Sequence, residues 1–100
     1  MPVAMIQDWA EGGGNTENYD AITEVMGVRE NPPEGMIVHT AGALPDGAFR
    51  IFDVWETREH FERFMQDRLM PAVKQVVGDG GADAPPPTMT MYELHGFQLG

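Results

Sequence analysis

The sequence predicts a single α+β domain over residues 1–100: a ferredoxin-like βαββαβ fold, with a four-stranded antiparallel sheet and two helices on one face. Three observations predict it. Apolar residues follow strand or helix periodicity in the order strand, helix, strand, strand, helix, strand. The two middle strands are separated by Pro45-Asp46-Gly47, which suits a three-residue hairpin loop. The chain has 100 residues, 42% apolar and 22% charged, the size and composition of one ordinary globular domain. Right-handed crossovers then place both helices on the same face of the sheet.

Each element has a local reason. Val3 to Trp9 is short, apolar-rich and ended by Glu11-Gly12-Gly13-Gly14, so it reads as a strand. Asn15 or Thr16 caps a helix in which Tyr19, Ile22, Val25 and Met26 share helical spacing and Gly27 makes the stop. After the loop Asn31-Pro32-Pro33-Glu34-Gly35, strands run from Met36 to Leu44 and from Phe49 to Glu56. Gly47 is expected in the left-handed conformation that follows a type I turn. Thr57 caps the longest helix, whose stripe is Phe61, Phe64, Met65, Leu69, Val73, Val76 and Val77, with a kink or break just before Pro71. Gly78 to Pro87 is a surface connection, and Thr88 to Leu94 is the last strand.

Sixteen acidic against six basic residues give a formal charge of −10, which argues against nucleic acid and against anionic lipid as partners. There is no cysteine and no serine, so thiolate and serine-nucleophile chemistry are excluded. Apolar runs reach about five residues against the ~20 a membrane span needs, and the N-terminus has no basic leader; the expectation is a cytoplasmic protein. Gly12-Gly13-Gly14 lacks the residues of a phosphate loop.

Side-chain alternation leaves both sheet faces largely apolar. Phe49, Ile51, Asp53 and Trp55 point one way on the third strand, and Arg50, Phe52 and Val54 the other. Helices cover one face; the other must meet something apolar, most simply a second copy in a sheet-to-sheet homodimer. With Leu44 opposite Ala48, counting outward puts Ala41 opposite Ile51, His39 opposite Asp53 and Ile37 opposite Trp55. Cross-strand Cβ atoms lie about 4.5–5.5 Å apart, within reach of an imidazole–carboxylate hydrogen bond. Asp53 would then orient His39 as a general acid or base in an apolar cavity. The structural alternative is that a buried His and a buried Asp simply satisfy each other.

Trp55, Ile37, Ile51, Trp9, Tyr92 and His95 are the expected walls around a small apolar or aromatic molecule. Two His and one carboxylate can ligate a metal, but no close-spaced His motif supports it, so no metal or cofactor is assigned. Arg50 is expected to pair with Asp8 or Glu93, and the eight methionines suit an adaptable pocket or interface.

The segments Gly35-Met36-Ile37-Val38-His39-Thr40-Ala41-Gly42, Phe49-Arg50-Ile51-Phe52-Asp53-Val54-Trp55-Glu56-Thr57, Phe61-Glu62-Arg63-Phe64 and Arg68-Leu69-Met70-Pro71-Ala72 resemble the dimeric α/β-barrel superfamily of the antibiotic biosynthesis monooxygenases. The resemblance spans about residues 3 to 95. It implies a dimeric barrel and an activity extending from acid/base chemistry to cofactor-independent oxygenation of an aromatic or polyketide-like compound. Haem-degrading relatives use a helix histidine, which draws attention to His60; an exposed His60 is the expectation. The alternative function is a non-catalytic homodimeric ligand-binding or interaction protein.

Overall fold

The computed structural model describes residues 2–9, 16–78 and 87–99. Side-chain capping at Asn15 and Thr16, the Gly12-Gly13-Gly14 turn and residues 79–86 of the expected surface connection lie outside the described residues. The elements are β1 (Val3–Trp9), α1 (Thr16–Met26), β2 (Met36–Ala43), β3 (Phe49–Trp55), α2 (Arg58–Phe64), a π-helical turn (Met65–Leu69), α3 (Met70–Val77) and β4 (Thr88–Glu93). The strands form one antiparallel sheet in the order β2-β3-β1-β4.

The hairpin forms as its residues dictate. Leu44 N–H donates to the Ala48 carbonyl at 2.7 Å and Gly47 N–H to the Leu44 carbonyl at 3.0 Å. Gly47 has φ 91°, a conformation that an L side chain resists. Three strands end one residue earlier than expected, at Ala43, Trp55 and Glu93; beyond the end of β3, Glu56 N–H donates to the Gly35 carbonyl at 2.7 Å. That bond closes the far end of the hairpin one residue short. Met36 therefore pairs with Trp55 while Val38 pairs with Val54, and Ile37 becomes the extra residue of a β-bulge. The expected pairing of Ile37 with Trp55 is corrected accordingly. Nearer the turn the register is as read, with His39 opposite Asp53 and Ala41 opposite Ile51.

Thr57 caps α2, its Oγ1 accepting from His60 N–H at 3.2 Å. The expected break before Pro71 takes the form of the π-helical turn, in which Met70 N–H reaches back to the Met65 carbonyl. Pro71 has no N–H and its ring would crowd the carbonyl one turn back; a widened turn relieves that crowding without ending the helix. In α1, Val25 is 43% exposed and Thr23 takes the buried position instead, its hydroxyl donating to the Tyr19 carbonyl at 2.8 Å.

The core lies between sheet and helices. Val3, Met5, Trp55 and Phe61 are buried, with Met36, Ile51, Phe64, Met65 and Met91 packed against them. Trp55 meets Phe61 edge-on at 5.8 Å between ring centroids. Full burial of a Met5 or Phe61 side chain contributes roughly 1.5–3 kcal/mol. Among the described residues the opposite sheet face has no helix, although Ala4 and Val54 on it are buried. It carries half-buried Ile6, Val38 and Phe52, Tyr92 at 45% exposure, and a bidentate Arg50–Asp8 pair at 2.6 and 3.1 Å. Hydrogen bonding from Arg50 holds the Asp8 carboxyl below its ordinary range.

Candidate functional site

The odd-numbered side chains of β1 and β3 face the helices, and between them lies a cavity of about 320 Å³. Its floor is Met5, Phe49 and Ile51; its far wall is Ile22, Met26, Phe61, Phe64, Leu69, Val73 and Val77 from the helical layer. No lysine or arginine lines it, and Asp53 is the one carboxyl residue among the described residues that do. Trp9, Phe49 and Tyr19 make a continuous aromatic rim, with centroid separations of 6.1 and 5.7 Å.

Three polar side chains meet at this wall. Asp53, on the central strand β3, is 3% exposed, and its Oδ1 lies 2.6 Å from His39 Nδ1. His39, on edge strand β2, has a third of its side chain exposed. Its other ring nitrogen, Nε2, is 2.5 Å from the hydroxyl of Tyr19, on α1. The imidazole and phenol planes are within 9° of each other at a centroid separation of 6.0 Å. A carboxylate accepts only; the imidazole tautomer that donates from Nδ1 to Asp53 leaves Nε2 as the acceptor for Tyr19 O–H. Burial pushes the Tyr19 phenol up from its ordinary value, and the nearby Asp53 charge adds to the shift. Tyr19 is therefore a phenol, not a phenolate, at neutral pH.

Asn18, Thr23 and Gln7 are the other polar side chains among the described residues that line the cavity. Gln7 on β1 is 7% exposed and lines the cavity, and among the described residues no hydrogen bond reaches its side chain.

Of the residues singled out from the sequence, His39, Asp53, Ile51 and Trp9 come together around the cavity. The other four stand elsewhere. Trp55 is 0% exposed within the core, away from the cavity lining, and its buried Nε1–H has no partner among the described residues. Ile37 is the bulge residue. Tyr92 pairs with Ala4 on the opposite sheet face, where alternation puts it. His95 lies exposed beyond the end of β4. His60 is half-buried, hydrogen-bonded through Nδ1 to Thr57 Oγ1 at 2.7 Å, and is not part of this cavity. Among the described residues no three His, Asp or Glu side chains converge, and no helix is long and apolar enough to cross a membrane.

Tyr19 and Gln7 were not singled out from the sequence as site residues. Tyr19 reads as one more member of the apolar stripe of α1. Gln7 carried a usable signal: it is the one amide in the run Val3, Met5, Gln7, Trp9 on the face turned to the helices.

No protein-family model and no curated protein matches the sequence. Solved structures do match. Rv0793 from Mycobacterium tuberculosis is similar at a TM-score of 0.69 and 14% identity, over 99% of this chain and 100% of that one. SnoaB, a cofactor-independent oxygenase from Streptomyces nogalater, is similar at 0.65 and 12%, over 96% and 95%. A protein from Bordetella bronchiseptica described as a candidate antibiotic biosynthesis monooxygenase is similar at 0.64 and 14%, over 93% and 96%. This chain thus shares the ferredoxin-like α+β fold of these structures, the fold that its strand and helix segments predict.

Proposed function

We propose that the protein is a cytoplasmic, homodimeric small-molecule enzyme that performs acid/base chemistry on a small aromatic or polyketide-like compound. The observation that supports this reading is the chain Asp53–His39–Tyr19 in the wall of a mostly apolar cavity of about 320 Å³. That volume lies at the small end of ligand pockets, which run from about 300 to 1,000 Å³. Both ring nitrogens of His39 are engaged, so His39 acts one step back from the ligand. A proton leaving the ligand is taken by the Tyr19 oxygen while the Tyr19 proton passes to His39 Nε2; Asp53 holds the imidazolium that results. The product is a ligand anion beside a neutral His–Asp ion pair.

An enolate or phenolate is also the electron-rich form that dioxygen can meet without a cofactor. This links the reading to the cofactor-independent oxygenase that shares the fold. The helix-free sheet face supports the homodimer, since a second copy would cover Ile6, Val38 and Phe52.

The test is deuterium uptake at C1 of 2-tetralone in D2O, followed by proton NMR. This compound is neutral and bicyclic, and the methylene at C1, between the aromatic ring and the carbonyl, is its most acidic C–H position. Catalysed exchange above buffer, falling about a hundredfold in Tyr19→Phe and in His39→Ala, is expected. Exchange no faster than buffer, in a protein that binds the compound, overturns acid/base chemistry in favour of a non-catalytic ligand-binding protein.

A further inference from the structure

We propose that Gln7 is the residue that recognises the ligand, its amide N–H donating to a carbonyl oxygen of a neutral, planar, enolisable compound. The inference deepens the function proposed above and rests on the same cavity.

A buried amide is tolerated where it finds hydrogen-bond partners. Gln7 has 7% of its surface exposed, sits among Met5, Trp9 and Ile51, and has no partner among the described residues. Leucine or methionine would fill such a position without that penalty. Nor is the amide sealed in. Among the described residues, the only fully enclosed side-chain polar atom lacking a partner is Trp55 Nε1, so the Gln7 nitrogen and oxygen open onto the cavity. An amide held in an apolar wall with its polar atoms facing empty space is completed by what enters that space.

Register places this group usefully. Gln7 pairs with Ile51, and Asp53 is two residues further along the same strand, on the same face. Such diagonal neighbours have Cβ atoms about 7–8 Å apart. Gln7 and Tyr19 both line the cavity, so a ligand within it can meet the amide at one end and the phenol at the other. The ligand's carbonyl oxygen accepts from Gln7, and its acidic C–H or O–H faces Tyr19.

The charges select the ligand class. No lysine or arginine lines the cavity and Asp53 is buried in its wall, so a carboxylate or phosphate ligand would enter against a like charge with no cation to meet it. A neutral ketone or phenol does not. When its C–H bond breaks, the proton goes to the Tyr19 oxygen and the Tyr19 proton to His39. The bonding pair delocalises onto the carbonyl oxygen, where Gln7 N–H is the donor. The hydrogen bond strengthens as that oxygen becomes negative, so Gln7 favours the anion over the ketone.

The experiment compares binding of 2-tetralone and naphthalene to wild type and Gln7→Met, with Gln7→Glu as a second variant. Wild type is expected to bind the ketone more tightly than the hydrocarbon. Gln7→Met is expected to lose about tenfold in ketone affinity and little in naphthalene affinity. Gln7→Glu, which presents an acceptor, is expected to lose at least as much. Gln7→Met should also melt no lower than wild type, because it removes an unpartnered amide. Ketone affinity unchanged in Gln7→Met overturns the assignment, as does a melting point well below wild type or a failure to fold; each means the amide serves the fold. Failure of either compound to bind wild type overturns the assignment together with the cavity reading. Gln7-dependent ketone binding without catalysed deuterium uptake leaves the anchor standing and removes only the acid/base step.

Discussion

Asp53 is a carboxyl group with 3% of its surface exposed, and the imidazole of His39 is what makes that burial tolerable. Removing one partner strands the other. His39→Ala is expected to cost about 1–3 kcal/mol in urea unfolding, the penalty of an unsatisfied buried group. His39→Leu with Asp53→Leu should recover most of that loss, since the buried carboxyl leaves with its partner and only the Tyr19 hydroxyl loses its hydrogen bond. Tyr19 gives a pH-dependent signature. Its folded phenol is raised above the ordinary value of about 10, so the unfolded chain releases that proton first. The Tyr19 contribution to stability is intact below about pH 10 and is lost as pH climbs through the higher folded value. Tyr19→Phe should abolish both this alkaline loss and one late phenolate absorbance step. At this scale the His39–Asp53 pair was legible because a hairpin loop of known length sets its register by counting. Tyr19 was not legible as its partner, because the contact joins residues twenty positions apart through helix-on-sheet packing, which no local pattern encodes.

At the scale of elements, the bulge and the π-helical turn are two answers to one problem: a chain with one residue too many for regular pairing. The sequence announces the second through Pro71 and hides the first, since Met36, Ile37 and Val38 are interchangeable in strand propensity. The bulge depends on the Gly35–Glu56 hydrogen bond, and Gly35 is under double constraint. It has φ 84°, and a Cβ built there would lie 2.3 Å from His60 Cγ. Gly35→Ala is therefore expected to lose at least about 2 kcal/mol on chemical denaturation, from left-handed strain and overpacking together. Adding His60→Ala should recover the overpacking part and leave the strain, so the double variant lies between Gly35→Ala and wild type.

At the scale of the whole molecule, 100 residues leave a thin core and an apolar sheet face without a helix, and the proposed homodimer answers both. Light scattering is expected to give twice the chain mass, and Phe52→Glu to give a monomer. Each copy brings a formal charge of −10, so association should tighten as salt rises and screens that repulsion. Both faces could be read as apolar from alternation alone. That one of them encloses a cavity could not, because enclosed volume depends on how far the helices stand off the sheet. The contrast between the two tryptophans has a spectroscopic consequence. Trp9 borders the cavity, whereas Trp55 is sealed in the core beside Phe61. Intrinsic emission is therefore divided between two reporters. A bound aromatic molecule should quench the Trp9 share alone, and only unfolding should shift the Trp55 share. Trp9→Phe would leave a protein whose emission follows its stability and ignores its ligand.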